Sequence, residues 1–438
     1  MKFGSSAFSA TGIIALILSL STPAYGGTLL EAVEEALRTN PDVLIDASRQ
    51  QSAGAASVQA LGGYLPRIDL SLGRGPSRSD NATTLASYGG AIHQRRYDRS
   101  LTLTQMLFDG FGTSSEVNRN RARYISASEK REFTSEQVAL RVVENYLEVL
   151  RQQEIITLTQ ENLNLHQRTF DQIKLRASSG VGRKSDQDQI EARLALSRAN
   201  LASAEANLQV AEINYKMVVG SMPKMLVKPK APDVRLMPKN IDLAIRAAMA
   251  NTHILKSARA DVDAAIAQHQ SAKSSLYPRL DLELSANKND LVSPTDNQKD
   301  LNHSVMLRMR YNLFKGGSDA ARVTETWHLA EEAKEIMRRA ELQLEQSVRL
   351  SWNAHTSAKE RLPHLLKHAE SSQLTRDAYS KQFSLGQRTL LDLLDTENEY
   401  YTASVNNLNG IFVEMFSRYR LLADMGLLLE TLGVSQRQ

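Results

Sequence analysis

The chain is written twice, and that duplication limits its folds more than any other feature. Ala36-Leu-Arg-Thr-Asn40 is echoed by Ala247-Ala-Met-Ala-Asn251, and Pro66-Arg67-Ile68-Asp69-Leu70 by Pro278-Arg279-Leu280-Asp281-Leu282. Leu107-Phe108-Asp109-Gly110 returns as Leu313-Phe314-Lys315-Gly316, and Val181-Gly182-Arg183-Lys184 as Leu385-Gly386-Gln387-Arg388. The order is kept, and the offsets run from 204 residues (Gly182 to Gly386) to 212 (Pro66 to Pro278). A repeat of this kind builds two similar units. Prolines at 223, 229, 232 and 238 mark the joint between them. The expected division is a signal segment at 1–26, a first repeat at 27–222, a linker at 223–240 and a second repeat at 241–438.

Each repeat contains a tract made for a very long helix. From Thr113 to Ser179 there is neither Gly nor Pro, and a continuous helix of that span reaches roughly 100 Å at 1.5 Å per residue. Val138, Val142, Tyr146 and Leu150, then Leu163, Phe170 and Ile173, keep the helical spacing of an apolar stripe. The second tract, Ser318 to Leu385, is interrupted only by Pro363, where a kink is expected. A Gly-marked turn follows each tract, and a returning helix follows the turn. The expected helices are 113–179, 183–219, 318–385 and 387–424. Ala192, Ala195, Ala199, Ala202 and Ala206 make one face of the first return narrow enough for close antiparallel packing. Only 11 Pro, 22 Gly and 6% aromatics in 438 residues fit such helices better than an all-β fold.

Two strand candidates precede the long helix in each repeat, at about 66–75 and 99–108, then 279–288 and 303–314. Apolar and polar residues alternate in them. Leu70, Leu282 and Leu307 fall on a face expected to meet lipid, Asp281 and Glu283 on a face expected to meet a lumen. The polar stretches 75–98 and 290–302 read as exposed loops. Strands of about 9–11 residues are long enough to cross a membrane at a tilt. Four of them cannot close a barrel, and an open edge is not viable in lipid, so several chains must pool their strands. Three chains would supply twelve.

Other features narrow the class. Lys2, the run Ile13–Leu18 and Ala24-Tyr25-Gly26 form a secretory signal pattern. With residues 1–26 removed, the formal net charge falls from +4 to +3, too mild and scattered for a nucleic-acid partner. There is no cysteine, hence no disulfide and no lipid-modified cysteine anchor. Mean hydropathy is −0.35, against a bundle of membrane helices. His364 and His368 are four apart, yet no third ligand is evident. Gly110-Phe111-Gly112 suits a strand-to-helix turn better than a phosphate cradle. The expectation is a non-enzymatic protein without cofactor or metal.

The informative polar cluster is Arg388-Thr389-Leu390-Leu391-Asp392-Leu393-Leu394-Asp395. Asp392 and Asp395, three apart, project from one helix face. With Gly182 aligned to Gly386, their counterparts in the first copy are Asp188 and Glu191. A surface pair between Arg388 and Asp392 would contribute little. Around a three-fold axis, the same two carboxylates would form a ring of six, which selects cations.

The segment Phe383 to Asp395 resembles the signature of the TolC family of outer-membrane export proteins. The Leu30, Ala36, Asn40-Pro41 pattern, the Leu-Phe-x-Gly turns and the duplication resemble that family across the whole chain after residue 26. The resemblance implies a mainly α protein with membrane β: a homotrimeric channel-tunnel with a twelve-stranded outer-membrane barrel on a long periplasmic helical barrel. It implies a constriction ring at Asp392 and Asp395. Arg388 becomes a latch to Gln187 or Asp188 in a neighbouring coiled coil. The turns at Gly182, Arg183, Lys184, Gly386 and Gln387 become docking points for a periplasmic adaptor. It further implies an inner-membrane transporter, with the ABC type favoured, as partner. One departure is Phe383, where the family prototype has Tyr. The segment Ser179 to Arg193 is similar to the branch serving type I secretion of large adhesins; export of small toxic compounds is the other cargo class. The competing reading is a periplasmic coiled-coil adaptor, which normally carries one helical hairpin and β-rich flanks.

Overall fold

A computed structural model describes residues 27–292 and 297–434. The expected signal segment 1–26 lies outside the described residues. The first ordered element, α1 (Leu29–Thr39), begins at a capping box in which Thr28 and Glu31 satisfy each other's backbone N–H. Asn40 ends α1 and caps α2 (Pro41–Leu61), which has Pro at its first position, where no N–H is needed. The same pair recurs as α6 (Ile241–Asn251) and α7 (His253–Lys273). Both pairs are 11 and 21 residues long, and they start 212 positions apart (29 to 241).

Strands β1 (Arg67–Ser79) and β2 (Ile92–Phe108) follow α2; β3 (Arg279–Val292) and β4 (Asn297–Arg310) follow α7. They form one antiparallel sheet in the order β1-β2-β3-β4. The expected loops are shorter than the sequence suggested. β1 and β2 extend well into 75–98, leaving a short helix α3 (Ala82–Tyr88) between them, and β3 and β4 extend into 290–302. Polar residues there keep the ladder because its hydrogen bonds are made by the backbone. At the other end, β4 stops at Arg310 and does not reach Phe314. Leu70 pairs with Leu101, and Leu282 with Leu307, on one face. Asp281 and Glu283 lie on the opposite face with Arg308 and Arg310. Both outer strands, β1 and β4, have an unpaired edge within the chain. They run in opposite directions, so β4 of one copy can continue the antiparallel ladder with β1 of the next.

The long helices are α4 (Gly112–Ser178) and α8 (Ser318–Ser384), each 67 residues, or about 100 Å at 1.5 Å per residue. Each returns through α5 (Lys184–Val219) or α9 (Leu390–Asp424). α8 runs unbroken through Pro363. Close by, Gly410 lets α9 approach: a Cβ there would stand 2.7 Å from Leu365 Cδ1 and 3.4 Å from Leu362 Cδ1. The upper half of α4 packs on α2 and α7, its lower half on α5, and α9 lies beside it.

The main core sits at mid-length, where α1, α4, α5, α9 and the short α10 (Leu428–Leu432) meet. Val138, Val142, Val143, Tyr146 and Val219 are fully buried there. The proline-rich linker is strapped to this core by two tyrosine hydroxyls and an arginine. The Tyr146 hydroxyl accepts the Val227 N–H at 3.0 Å and lies 2.8 Å from the Gly27 carbonyl. Tyr419 donates to Lys230 O at 3.1 Å, and Arg418 to Pro232 O at 3.1 Å. Such straps give the linker's backbone groups partners without regular structure.

Candidate functional site

The far ends of the two helical hairpins, opposite the sheet, hold every residue singled out around Arg388. Here the helix ends correct the sequence alignment of the copies. α4 and α8 start 206 positions apart (112 to 318), and so do α5 and α9 (184 to 390). Gly180, at φ +75°, is therefore the counterpart of Gly386, at φ +76°. Both close their helices in the left-handed conformation that glycine adopts without strain. Asp186, not Asp188, takes the place of Asp392, and Gln189 that of Asp395. The six-residue difference between the 206 and 212 offsets lies in the first β-hairpin, which carries α3. Gly182 has its own reason to be glycine: a Cβ there would stand 2.8 Å from Ala177 N.

An apolar cluster binds the two tips together. Ile173 of α4 and Ile190 of α5 pack with Phe383 of α8 and Leu390, Leu393 and Leu394 of α9. Phe383 is buried, and the Arg176 guanidinium lies 5.4 Å from its ring centroid. The position where the family prototype carries a hydroxyl is thus filled here by apolar packing.

The polar residues divide their work differently from the sequence expectation. Asp392 closes a capping box on α9: its carboxylate accepts the Thr389 N–H at 3.2 Å and the Thr389 hydroxyl at 2.9 Å, while Thr389 Oγ1 accepts the Asp392 N–H at 3.2 Å. The Thr389 hydrogen bonds hold its carboxyl below the usual carboxylate range. Asp395 faces α5, where Arg193 Nη2 stands 3.4 Å from its Oδ1 and ties the two hairpins. Arg388 is engaged on its own hairpin: Nε donates to Gln382 Oε1 at 3.0 Å, and the guanidinium lies 4.2 Å from the Tyr379 ring centroid. Within one chain it makes no hydrogen bond or ion pair with Gln187, Asp188 or Asp392. Asp188 pairs with Lys184 at 3.1 Å. Arg183 precedes α5 without capping it by a side chain. Gln387 continues the turn, its N–H donating to Gln382 O at 2.9 Å.

Sequence reasoning missed Thr389, Tyr379 and Arg193. The Thr-x-x-Asp spacing of Thr389 and Asp392 is itself a helix-start signal and could have been read. Tyr379 and Arg193 had none, since each acts across a turn or a helix seam. A deeper pair was also missed. His166 of α4 and Glu397 of α9 are buried side by side, with Nδ1 3.4 Å from Oε2 and neither atom hydrogen-bonded. Burial pushes the Glu397 carboxyl up to about 7 and the imidazole of His166 down.

On the sheet's polar face, Asp281 is fully buried between Arg279 at 3.0 Å and Arg310 at 2.8 Å. Glu283 receives Arg308 at 2.7 Å and also Arg310. The acids expected to face a lumen are therefore already matched by arginines. Among the described residues no helix is long and apolar enough to cross a membrane, and no group of three or more acids and histidines could hold a metal. His368 approaches Glu399 at 3.7 Å rather than forming a ligand set with His364.

The family model described as outer membrane efflux protein matches residues 32–221 and 244–410. The chain belongs to the outer membrane efflux protein family. Among its relatives, the alkaline protease secretion protein AprF of Pseudomonas aeruginosa is 27% identical over 401 residues, covering 89% of this chain and 82% of AprF. The outer membrane efflux protein BepC of Brucella suis is 23% identical over 365 residues, covering 83% of this chain and 77% of BepC. Among solved structures, CusC superposes with a TM-score of 0.78 at 15% identity, covering 91% of this chain and 92% of CusC. As a member of this family the chain is an outer-membrane export duct with a large periplasmic tunnel, a conduit and not an enzyme. Channels of the family are trimers that work with periplasmic adaptors and inner-membrane transporters. The two tip turns are then the periplasmic ends of its helices, and the sheet is its share of the barrel.

Proposed function

We propose that this duct secretes protein cargo and is gated at the tips of its helical hairpins. In the trimer, Asp392 and Asp395 make the constriction ring. The turns at Gly182, Arg183, Lys184, Gly386 and Gln387 meet the adaptor, which links the duct to an ABC-type transporter. The observation that carries the gate is the apolar cluster of Ile173, Ile190, Phe383 and the three leucines. It fuses both tips into one unit and leaves Asp395 exposed, with Asp392 at the start of the same helix. Arg193 and Asp395 tie the hairpins within a chain. For Arg388 to latch onto Gln187 or Asp188 of a neighbouring copy, it must leave Gln382 and Tyr379, and Asp188 must leave Lys184. Exposed contacts of this kind contribute under about 1 kcal/mol each, so the exchange is energetically accessible.

Protein cargo is supported by the similarity to AprF, whose name records alkaline protease secretion. Efflux of small compounds is the second reading; the name of BepC records outer membrane efflux without stating a cargo. Planar-bilayer recording tests the gate. The parent channel conducts weakly and prefers cations, Asp392→Ala/Asp395→Ala loses that preference, and Arg388→Ser raises conductance at normal trimer yield. Unchanged selectivity in the double variant would remove Asp392 and Asp395 from the constriction.

A further inference from the structure

The outward face of the sheet changes character along its height. Near the helices it is apolar: Ile68, Leu103, Leu284 and Val305 lie side by side across the four strands. Two rows higher, Leu72, Arg99, Lys288 and Leu301 lie abreast, and the next row is Arg74, Tyr97, Asp290 and Lys299. Four cations and one carboxylate thus share two adjacent rows. Arg99 and Lys288 are direct cross-strand partners, an arrangement that destabilises a sheet unless an anion lies between them.

The chain itself does not supply enough anion. Asp290 stands 3.8 Å from Arg99 and is largely buried, with Oδ1 making no hydrogen bond. Arg74 lies 5.3 Å from the Tyr97 ring centroid. Among the described residues, Lys288 and Lys299 have no ion-pair partner. Closing the barrel does not help. The outward positions of β1 are Ile68, Leu70, Leu72, Arg74, Pro76 and Arg78, and those of β4 from Lys299 to Met309 include no acid. Among the described residues on these outward strand faces, a neighbouring copy therefore brings more cations to this height and no carboxylate.

The height identifies the missing anion. The strand ends at Arg67, Phe108, Arg279 and Arg310 join the periplasmic helices, so the charged rows lie toward the outer leaflet. From Leu280 to Asp290 is ten residues, about 25 Å of membrane normal at ~3.3 Å per residue and a tilt of ~40°. That is the thickness of a barrel's apolar band, which places Arg74, Lys299 and the interfacial Tyr97 at headgroup level, with Arg99 and Lys288 one row, about 5 Å, below, from where their long side chains reach up to it. We propose that Arg74, Arg99, Lys288 and Lys299 form a docking site for the phosphate groups of an outer-leaflet lipid headgroup.

Native mass spectrometry of the purified full-length trimer tests this, with a bis-phosphorylated lipid A as probe and the same lipid after phosphatase treatment as its control. The phosphorylated lipid should bind at least tenfold more tightly. Arg99→Gln/Lys288→Gln should abolish that preference, Arg99→Lys should retain it, and an equal loss of charge on α8, Lys334→Gln/Arg338→Gln, should leave it unchanged. Equal binding of the two lipids by the parent overturns the proposal without recourse to any variant. Displacement of the lipid by millimolar inorganic phosphate overturns it too, because the site would then take a free anion and not a headgroup.

Discussion

Glu397→Gln should stabilise this protein at high pH and leave it unchanged at low pH. Glu397 is buried at the seam of α4 and α9, two residues beyond Asp395, beside the neutral ring of His166. Burial raises its carboxyl to about 7 from an ordinary 4.5, although Arg376 and Arg168 pull in the other direction. Below pH 4.5 the carboxyl is protonated in folded and unfolded chains alike, and its burial costs no charge. As pH rises from there through about 7, the unfolded chain releases the proton first, and native stability is progressively lost. The gap between 4.5 and about 7 corresponds to about 3 kcal/mol per chain, at ~1.4 kcal/mol per pKa unit. Glutamine keeps the shape and removes the titration.

His166 acts in the opposite sense. Burial, and secondarily Arg193, depresses its imidazole below 6.5, so protonating it costs native stability as pH falls below that value. The difference between variant and parent cancels this contribution to first order. Thermal melting of the detergent-solubilised trimer across pH 4.5 to about 8.5 is the assay. The Tm advantage of Glu397→Gln should grow through the middle of that range and level off above pH 7. A constant Tm difference at every pH would refute the reasoning, since it would mean that Glu397 titrates alike in the folded and unfolded chain.

Arg193→Ala should raise single-channel conductance while moving Tm little, because its pair with Asp395 is exposed and contributes less than about 1 kcal/mol; unchanged conductance would deny it a part in the gate. Asp392→Ala should lower Tm where Asp395→Ala does not, since only Asp392 closes a capping box with Thr389. Gly182→Ala should destabilise by about 1–3 kcal/mol, because its Cβ collides with backbone at Ala177, whereas Gly180→Ala meets open space and costs about 1 kcal/mol from backbone strain alone; equal losses in chemical denaturation would contradict the turn geometry.

The long helices were legible in the sequence because their evidence is local. A tract without Gly or Pro and with an apolar stripe has few other ways to fold, and α4 and α8 begin and end within a residue of the expected 113–179 and 318–385. Strand faces were legible for the same reason, through the alternation around Leu70 and Leu282. Strand lengths were not: residues such as Arg78 and Gln94 carry no apolar signal, yet their backbones stay in the ladder opposite His93 and Ser77. The buried pair of His166 and Glu397 was equally invisible, because burial of a polar side chain on an amphipathic helix is decided by what faces it.

The tips show where duplication stops being a guide. The two hairpins share helices of 67 residues and a left-handed glycine at the same place, so copying fixed their geometry. Asp186 and Asp392 keep an acid in the first turn of each returning helix, but the chemistry around them has diverged. Thr389, which caps α9 by its side chain, stands opposite Arg183, which does not cap α5 that way. Asp395, tied to Arg193, stands opposite Gln189. Arg388, stacked on Tyr379, stands opposite Gly182, which has no side chain to stack. Three copies of such a chain would therefore close on six tips of two kinds. The second tip carries a capped, arginine-tethered helix start, and the first carries the Arg193 that holds it. Arg388→Ser at the second tip should act on the opening, while Gly182→Ala in the first turn should act on its fold. That division of effects is what comparing Arg388→Ser with Gly182→Ala would measure, in conductance for the one and in denaturation midpoint for the other.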